Sequence, residues 1–329
     1  MKGKYKIVIK NNRLHYEFEI KRNITIIRGD SATGKTTLIN MLRQAENLGD
    51  ASGISVACTV PCRILEGVNW KLILENTTGT IFFIDEENAF ITTKEFADMI
   101  KRSDNYYVLI TRENLYTLPY SVEEIYGLHC SGKYHDTKRM YQQTYQIYSN
   151  YQDVPVKPEK FITEDSNSGF DFFKAVGRER GIDCKSAGGK SNIYCTLKEN
   201  GEGQVCVIVI ADGAAIGPEM DRLFKYASQK KNIYLYFPES FEWLILNSGV
   251  VPGKELQDML IAPENYIDSK EYFSWERYFS RFLTDKTSGS YLQYGKSRLN
   301  EVYLHDKNKE LILKTMKGLK LEDTVVEKT

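Results

Sequence analysis

The stretch Gly29-Asp30-Ser31-Ala32-Thr33-Gly34-Lys35-Thr36-Thr37 constrains this chain more than any other. It fits the pattern G-x-x-x-x-G-K-[ST] in full. Upstream, Asn23 to Arg28 is a β-branched apolar run that reads as a buried strand. Downstream, Thr37-Leu38-Ile39-Asn40-Met41-Leu42 continues with the i, i+3, i+4 apolar spacing of a helix. Strand, glycine loop and helix start form the setting in which this pattern has a physical meaning. Gly29 and Gly34 free the backbone to curl, so that successive N–H groups face phosphate oxygens. The helix start adds the positive end of its dipole. Residues Gly29 to Thr37 are thus the expected nucleotide-binding set. Lys35 reaches the β- and γ-phosphates, and the Thr36 hydroxyl binds Mg²⁺. The sequence predicts a nucleoside-triphosphate site. The alternative, a glycine loop that fits by accident, has the flanking strand and helix against it.

The next chemistry comes at Thr80-Ile81-Phe82-Phe83-Ile84-Asp85-Glu86-Glu87, four large apolar residues that end in acids. A strand ending in an aspartate beside a phosphate loop supplies the carboxylate that Mg²⁺ needs. Asp85 is the candidate for that role. Glu86 is the candidate general base for the attacking water, and Glu87 a solvated neighbour. Between loop and acids, Ile54 to Val60 reads as a buried strand. A helix over Lys94 to Ile100 leads to another strand, Asn105 to Arg112. Thr111 at its end is a candidate γ-phosphate sensor, and Arg112 would add positive charge. Their structural alternatives are a strand-end threonine and a surface arginine. Before the loop, Lys4 to Lys10, the turn pair Asn11-Asn12 and Arg13 to Ile20 form a β-hairpin. Its Tyr5, Tyr16 and Phe18 are expected in the core, with stacking on a base as the alternative.

With Asp85 placed 50 positions after Lys35, this half resembles the additional-strand, catalytic-glutamate division of P-loop NTPases, which includes ABC-, RecA- and AAA-type ATPases. The resemblance implies an α/β P-loop NTPase domain that hydrolyses ATP with Lys35, Glu86 and Thr111 as catalytic groups. The upstream hairpin leans toward the ABC side. No Leu-Ser-Gly-Gly-Gln-like signature precedes Asp85, and the interval leaves little room for the insertion that carries it. No Asn-Lys-x-Asp guanine reader follows the third strand, which favours ATP.

A length of 329 residues makes two domains the starting expectation. The 44 basic and 44 acidic residues cancel, so any nucleic-acid site must be a local patch. No apolar run approaches the roughly 20 residues that span a bilayer. Met1 to Tyr5 runs directly into strand sequence without a signal-peptide core. A cytoplasmic location with no membrane contact is expected. The six cysteines, Cys58, Cys62, Cys130, Cys184, Cys195 and Cys206, form no C-x-x-C and read as buried free thiols. A zinc site from Cys62, His129, Cys130 and His135 lacks finger spacing.

Tyr141 to Tyr151 is rich in tyrosine and amides and reads as a strand or an inter-domain surface. Val154-Pro155-Val156-Lys157-Pro158 reads as an extended linker, which puts the domains at 1–153 and 154–329. The second opens with a strand at Lys160 to Ser166 and a helix from Ser168 to Val176. A buried strand, Val205 to Ile210, runs into Ala211-Asp212-Gly213, and a helix starts at Pro218. The strand Asn232 to Phe237 ends in Pro238-Glu239-Ser240-Phe241-Glu242, and residues beyond Gly253 read as helical. Strands ending in carboxylates point to an α/β sheet with acids at its carboxyl edge, where such sheets bind ligands.

Glu164 after one strand and Asp212 after a later one resemble the Toprim domain of topoisomerases, primases and OLD-type nucleases. In that family a strand-end Glu and an Asp-x-Asp pair bind Mg²⁺ for phosphodiester chemistry. The resemblance implies Glu164 and Asp212 as metal ligands. Two positions depart from it: Ala214 stands where the second aspartate would, and Asp165 follows Glu164. Glu239 or Glu242 could replace the lost ligand. An ATPase joined to a Toprim-like domain resembles the OLD family and related phage-defence systems. Two functions remain open: an ATPase controlling an Mg²⁺-dependent nuclease, and an ATP-driven switch whose second domain binds a partner without cutting. The expected partner is accordingly nucleic acid or a protein, and the expected assembly a homo-oligomer.

Overall fold

Apolar runs with β-branched and aromatic residues alternate with amphipathic helices along most of the chain, and they fold into two α/β units. The computed structural model describes residues 1–29, 34–130, 140–148, 154–201, 203–317 and 319–321. The first unit comprises Met1–Ile147 and Ala262–Ser274; the second comprises Tyr148–Ile261 and Trp275–Thr329. The return of Ala262–Ser274 to the first unit has no signature in the sequence, which places all of 154–329 together. Its cause is backbone pairing: Gly3 N–H donates to the Glu264 carbonyl at 2.7 Å and Ser269 N–H to the Met1 carbonyl at 3.0 Å. The Asn23 amide also donates to the Phe273 carbonyl at 2.7 Å.

The first unit is built, in chain order, from β1 (Tyr5–Lys10), β2 (Leu14–Ile20), β3 (Ile24–Arg28), α1 (Lys35–Leu48), β4 (Ser55–Ala57), β5 (Cys62–Ile64), α2 (Trp70–Glu75), β6 (Ile81–Asp85), α3 (Lys94–Ile100), β7 (Tyr106–Ile110), β8 (Ile125–Cys130) and β9 (Met140–Gln146). Its nine-stranded sheet has the order β4-β1-β2-β9-β8-β3-β7-β6-β5. From β8 to β5 all neighbours are parallel. β3 and β7 are buried at every position, which is why they read as unbroken apolar runs rather than alternating ones. The hairpin strands β1 and β2 pair antiparallel and do alternate. The Asn11 side chain sets their turn by accepting from the Arg13 and Leu14 N–H groups, both at 2.8 Å.

The expected buried strand over Ile54 to Val60 is corrected. β4 keeps Ser55 and Ala57 exposed and pairs with β1 at the far edge of the sheet. Ile54, Val56, Cys58 and Val60 pack on the core, so the segment is half-buried by alternation. The strand beside β6 is β5 instead.

The second unit contains β10 (Val154–Val156), β11 (Lys160–Thr163), α4 (Ser168–Arg180), β12 (Asp183–Ser186), α5 (Ile193–Asn200), β13 (Val207–Ile210), α6 (Met220–Ala227), β14 (Ile233–Tyr236), α7 (Phe241–Asn247), α8 (Lys254–Ile261), α9 (Trp275–Thr287), α10 (Asp306–Lys314) and β15 (Leu319–Leu321). Its main sheet, β12-β11-β13-β14, is wholly parallel. The segment expected as a linker is in part a strand, because β10 pairs in parallel with β15. The cysteines are free, but Cys130 and Cys195 are exposed rather than buried, and the other four are half-buried. Among the described residues, no helix is long and apolar enough to cross a membrane.

Candidate functional site

In the first unit, backbone register brings the candidate residues to one edge. Ile27 in β3 lies opposite Ile110 in β7, and Ile110 lies opposite Asp85 in β6. The carboxyl ends of three parallel strands therefore carry, side by side, the glycine loop, Thr111, and the acids Asp85 and Glu86. β7 stands between the loop strand and the acidic strand. Asp30, Ser31, Ala32 and Thr33 lie outside the described residues.

Gly29 and Gly34 both have positive φ, +145° and +92°, a conformation that side chains disfavour. α1 starts at Lys35 directly after Gly34, and Leu38, Ile39, Met41 and Leu42 bury its inner face. Lys35 is nearly buried, and its ammonium donates to the Gly29 carbonyl across the base of the loop. Thr36 and Thr37 are exposed in the first turn.

Asp85 closes β6, and its Oδ1 accepts the Glu86 N–H at 2.8 Å. Burial raises its pKa above the ordinary carboxyl range; that N–H opposes the rise, and Glu87 and Glu86 add to it. Glu86 Oε2 accepts the Arg112 N–H at 2.9 Å, while Arg112 Nε stands 3.4 Å from Oε1. The Arg112 side chain is over half exposed, so the backbone N–H aims Glu86 more firmly than the ion pair does. This role of the Arg112 backbone escapes sequence reading, since any residue supplies an N–H. Thr111 is buried, its own N–H donates to Ile27, and its Oγ1 accepts the Glu113 N–H at 3.0 Å. Glu87 is exposed, as expected. Arg28, the last residue of β3, reaches Asn114 Oδ1 at 2.6 Å and the Tyr120 hydroxyl at 3.1 Å, holding the segment that follows Thr111.

In the second unit, strand order reverses at the boundary of β11 and β13: β12 lies on one side and β14 on the other. That reversal opens a crevice at the strands' carboxyl ends. Glu164 follows β11, Asp212 follows β13, and the Asp212 N–H donates to Glu164 Oε2 at 3.1 Å. The two acids predicted from sequence do come together. Gly213 permits the close approach of the β14 end, since a Cβ there would sit 2.3 Å from the Phe237 carbonyl oxygen. A cavity at this edge is lined by Glu164, Ser168, Phe173, Asp212, Phe241 and Lys296.

Burial pushes the Glu164 pKa up to about 7, against the pull of the Asp212 N–H. Burial, then Glu276, Glu164 and Glu242, raises Asp212 well above the carboxyl range. Of the two proposed replacement ligands, Glu242 belongs to the cluster. It is buried, and its Oε1 accepts from Ser280 Oγ at 2.7 Å and the Tyr294 hydroxyl at 2.9 Å. Lys296 donates to Glu276 Oε1 at 2.6 Å. Burial would lower the Lys296 pKa, but Glu276, Glu242 and Asp212 raise it overall. Glu276 and Lys296 were not legible in the sequence, lying in helical and loop segments without a motif. Ala214 is buried, and its N–H donates to the Glu239 carbonyl at 3.2 Å.

Among the described residues, no group of three or more His, Cys, Asp or Glu side chains is spaced to hold a metal ion. Glu164 and Asp212, adjacent through the Asp212 N–H, carry carboxylate oxygens of the kind Mg²⁺ accepts while keeping several waters, and Thr36 and Asp85 carry a hydroxyl and a carboxylate of that kind. His135, one of the imagined zinc ligands, lies outside the described residues. No protein-family model matches this chain, and no curated protein matches it.

Proposed function

We propose that the first unit is a P-loop ATPase domain of the additional-strand, catalytic-glutamate kind. The observation that carries this reading is the order β8-β3-β7-β6-β5, in which one strand separates the glycine-loop strand from the strand ending in Asp85 and Glu86. In this reading Lys35 and the α1 N-terminus neutralise the triphosphate. Thr36 and Asp85 would hold Mg²⁺, which would supply charge neutralisation to the triphosphate. Glu86, aimed by the Arg112 N–H, takes the proton of the attacking water as the water oxygen bonds to the γ-phosphorus and the bond to the β–γ bridging oxygen breaks, releasing ADP and phosphate. Thr111 faces the same edge as sensor.

The nucleotide state then controls a Toprim-like second unit of the OLD type, an Mg²⁺-dependent nuclease centred on Glu164 and Asp212. Their convergence at the strand-order reversal supports a ligand site there. A second reading, an ATP-driven switch with a non-cutting second unit, is favoured by Ala214 at the missing-aspartate position. Lys35→Ala tests the first reading. It should abolish ATP binding, measured by equilibrium fluorescence titration, while the circular dichroism spectrum is retained. Unchanged affinity would remove the assignment. A plasmid-nicking assay with Mn²⁺ then separates nuclease from switch.

A further inference from the structure

Tyr16 belongs to the hairpin, and sequence reading leaves it two roles: core packing or stacking on a base. The structure shows a third use of the same side chain. Its ring is 1% exposed and packs in the core cluster that also contains Leu38, Ile39 and Leu42 of α1. Its hydroxyl donates to the Gly34 carbonyl at 2.9 Å. That carbonyl also accepts the first helical bond of α1, from Leu38 N–H at 2.9 Å. The Thr37 side chain is within hydrogen-bonding reach of the same hydroxyl. Burial pushes the Tyr16 pKa up to about 12, so the hydroxyl keeps its proton and stays a donor.

The consequence follows from peptide geometry. A peptide unit is planar, and in the trans form the N–H points opposite to the C=O. Holding the Gly34 carbonyl from two sides therefore fixes the direction of the Lys35 N–H. That N–H points out of the α1 N-terminus, away from the helix body. Gly34 has positive φ and no side chain, so its backbone has little intrinsic stiffness. An external hold is what such a hinge needs. There is no room for a substitute in the same place, because a Cβ on Gly34 would lie 2.9 Å from the Tyr16 hydroxyl.

We propose that Tyr16 is a positioning residue of the nucleotide site, its hydroxyl locking the Gly34–Lys35 peptide plane so that the Lys35 N–H is presented to a phosphate oxygen of ATP. The proposal rests on the ATP-binding reading of the loop.

The test compares full-length wild type, Tyr16→Phe and Tyr107→Phe. Tyr107 also spends a buried hydroxyl on hydrogen bonds, with Ser103 Oγ at 2.6 Å and with the Asn105 side chain, but at the opposite end of β7 from Thr111. The two substitutions thus remove equivalent groups, one at the loop and one away from it. Two quantities are read: the Kd for Mg-ATP, and the rise in Tm that saturating Mg-ATP produces over the same protein without it. Tyr16→Phe should weaken Mg-ATP by about three- to tenfold, the worth of one buried hydrogen bond, and shrink the ATP-dependent rise in Tm. Tyr107→Phe should lower the Tm without nucleotide and leave Kd within about twofold of wild type, inside the spread of such measurements. A purely structural Tyr16 would lower the nucleotide-free Tm alone. Unchanged Kd in Tyr16→Phe, or an equal loss in both variants, overturns the proposal. Wild-type protein that fails to bind Mg-ATP would instead remove the reading on which it stands.

Discussion

Glu124 gives a sharp test of how the β3 scaffold is held. The residue is fully buried at the start of β8, beside β3. Its Oε2 accepts from Thr25 Oγ1 at 3.2 Å, and Arg22 Nε lies 3.4 Å from Oε1. Burial pushes its pKa from 4.5 up to about 7, with Arg22 pulling the other way. Between those two values the folded chain keeps a proton that the unfolded chain has lost. Stability must therefore fall as pH rises from about 4.5, and the loss is complete once pH has passed about 7. Its size is about 3 kcal/mol, from the free energy of one pKa unit. Glu124→Gln keeps an oxygen for Thr25 and removes the titration. It also sets an amide against Arg22, a cost that does not vary with pH, so the slope is diagnostic and the level is not. Hydrogen exchange of β3 peptides in the full chain, followed by mass spectrometry from pH 5 to pH 8.5 after correction for intrinsic rates, reads the opening free energy. The wild-type value should drop relative to the variant by about 3 kcal/mol across that range, less the portion already lost at pH 5. Parallel curves would refute the reasoning, because they would mean that Glu124 is equally ionised in both states.

Two further outcomes bear on the chemistry. Glu86→Gln keeps the acceptor for the Arg112 N–H and loses the base, so ATP hydrolysis should fall on the order of 10²–10⁴-fold with Mg-ATP affinity retained in titration; abolition by Glu87→Gln instead would mean the wrong carboxylate was chosen. Mn²⁺ without nucleotide should slow hydrogen exchange at β11 and β13 by neutralising Glu164 and Asp212, by about 2.7 kcal/mol at a hundredfold excess over Kd. The double change Glu164→Ala, Asp212→Ala should erase that response and leave ATP hydrolysis intact, whereas exchange indifferent to Mn²⁺ in wild type would leave partner binding as the second unit's role.

Legibility from sequence followed the range of the physics involved. The glycine loop, its strand and its helix follow one another directly from Ile24 to Leu48 and are dictated by local sterics, so Gly29, Gly34 and the start of α1 could be read directly. Asp85 and Glu86 were legible because the buried apolar run of a parallel strand stops where charge begins. The hairpin was legible from alternation and its asparagine turn. The neighbours of β3 were not. Register between strands as distant as β3 and β7 depends on the whole sheet, and only the folded chain shows that Thr111 and Asp85 share an edge. Ile54 to Val60 was misjudged for a related reason: its apolar residues alternate, and alternation marks one buried face rather than two.

The acid cluster of the second unit shows where local reading ends and why. Glu164 and Asp212 each follow closely on the end of a strand, so each was visible alone. What determines their state is the company they keep: Glu242 from α7, Glu276 from α9 and Lys296 from the loop beyond it. Four carboxylates gathered in one partly enclosed place repel one another, and only a proton, a cation or a neighbouring ammonium makes such a group tolerable. The fold supplies one remedy itself, in Lys296, and a second in the protons that the raised Glu164 and Asp212 retain. Glu242 is stabilised differently, by the Ser280 and Tyr294 hydroxyls, and these bonds tie α7 to α9 and to the loop that follows α9. Lys296 thus places one positive charge among Glu276, Glu242 and Asp212. Glu164 and Asp212 are the acids that a bound cation would have to discharge of those protons, which is why the Mn²⁺ response of β11 and β13 discriminates between the two readings of this unit.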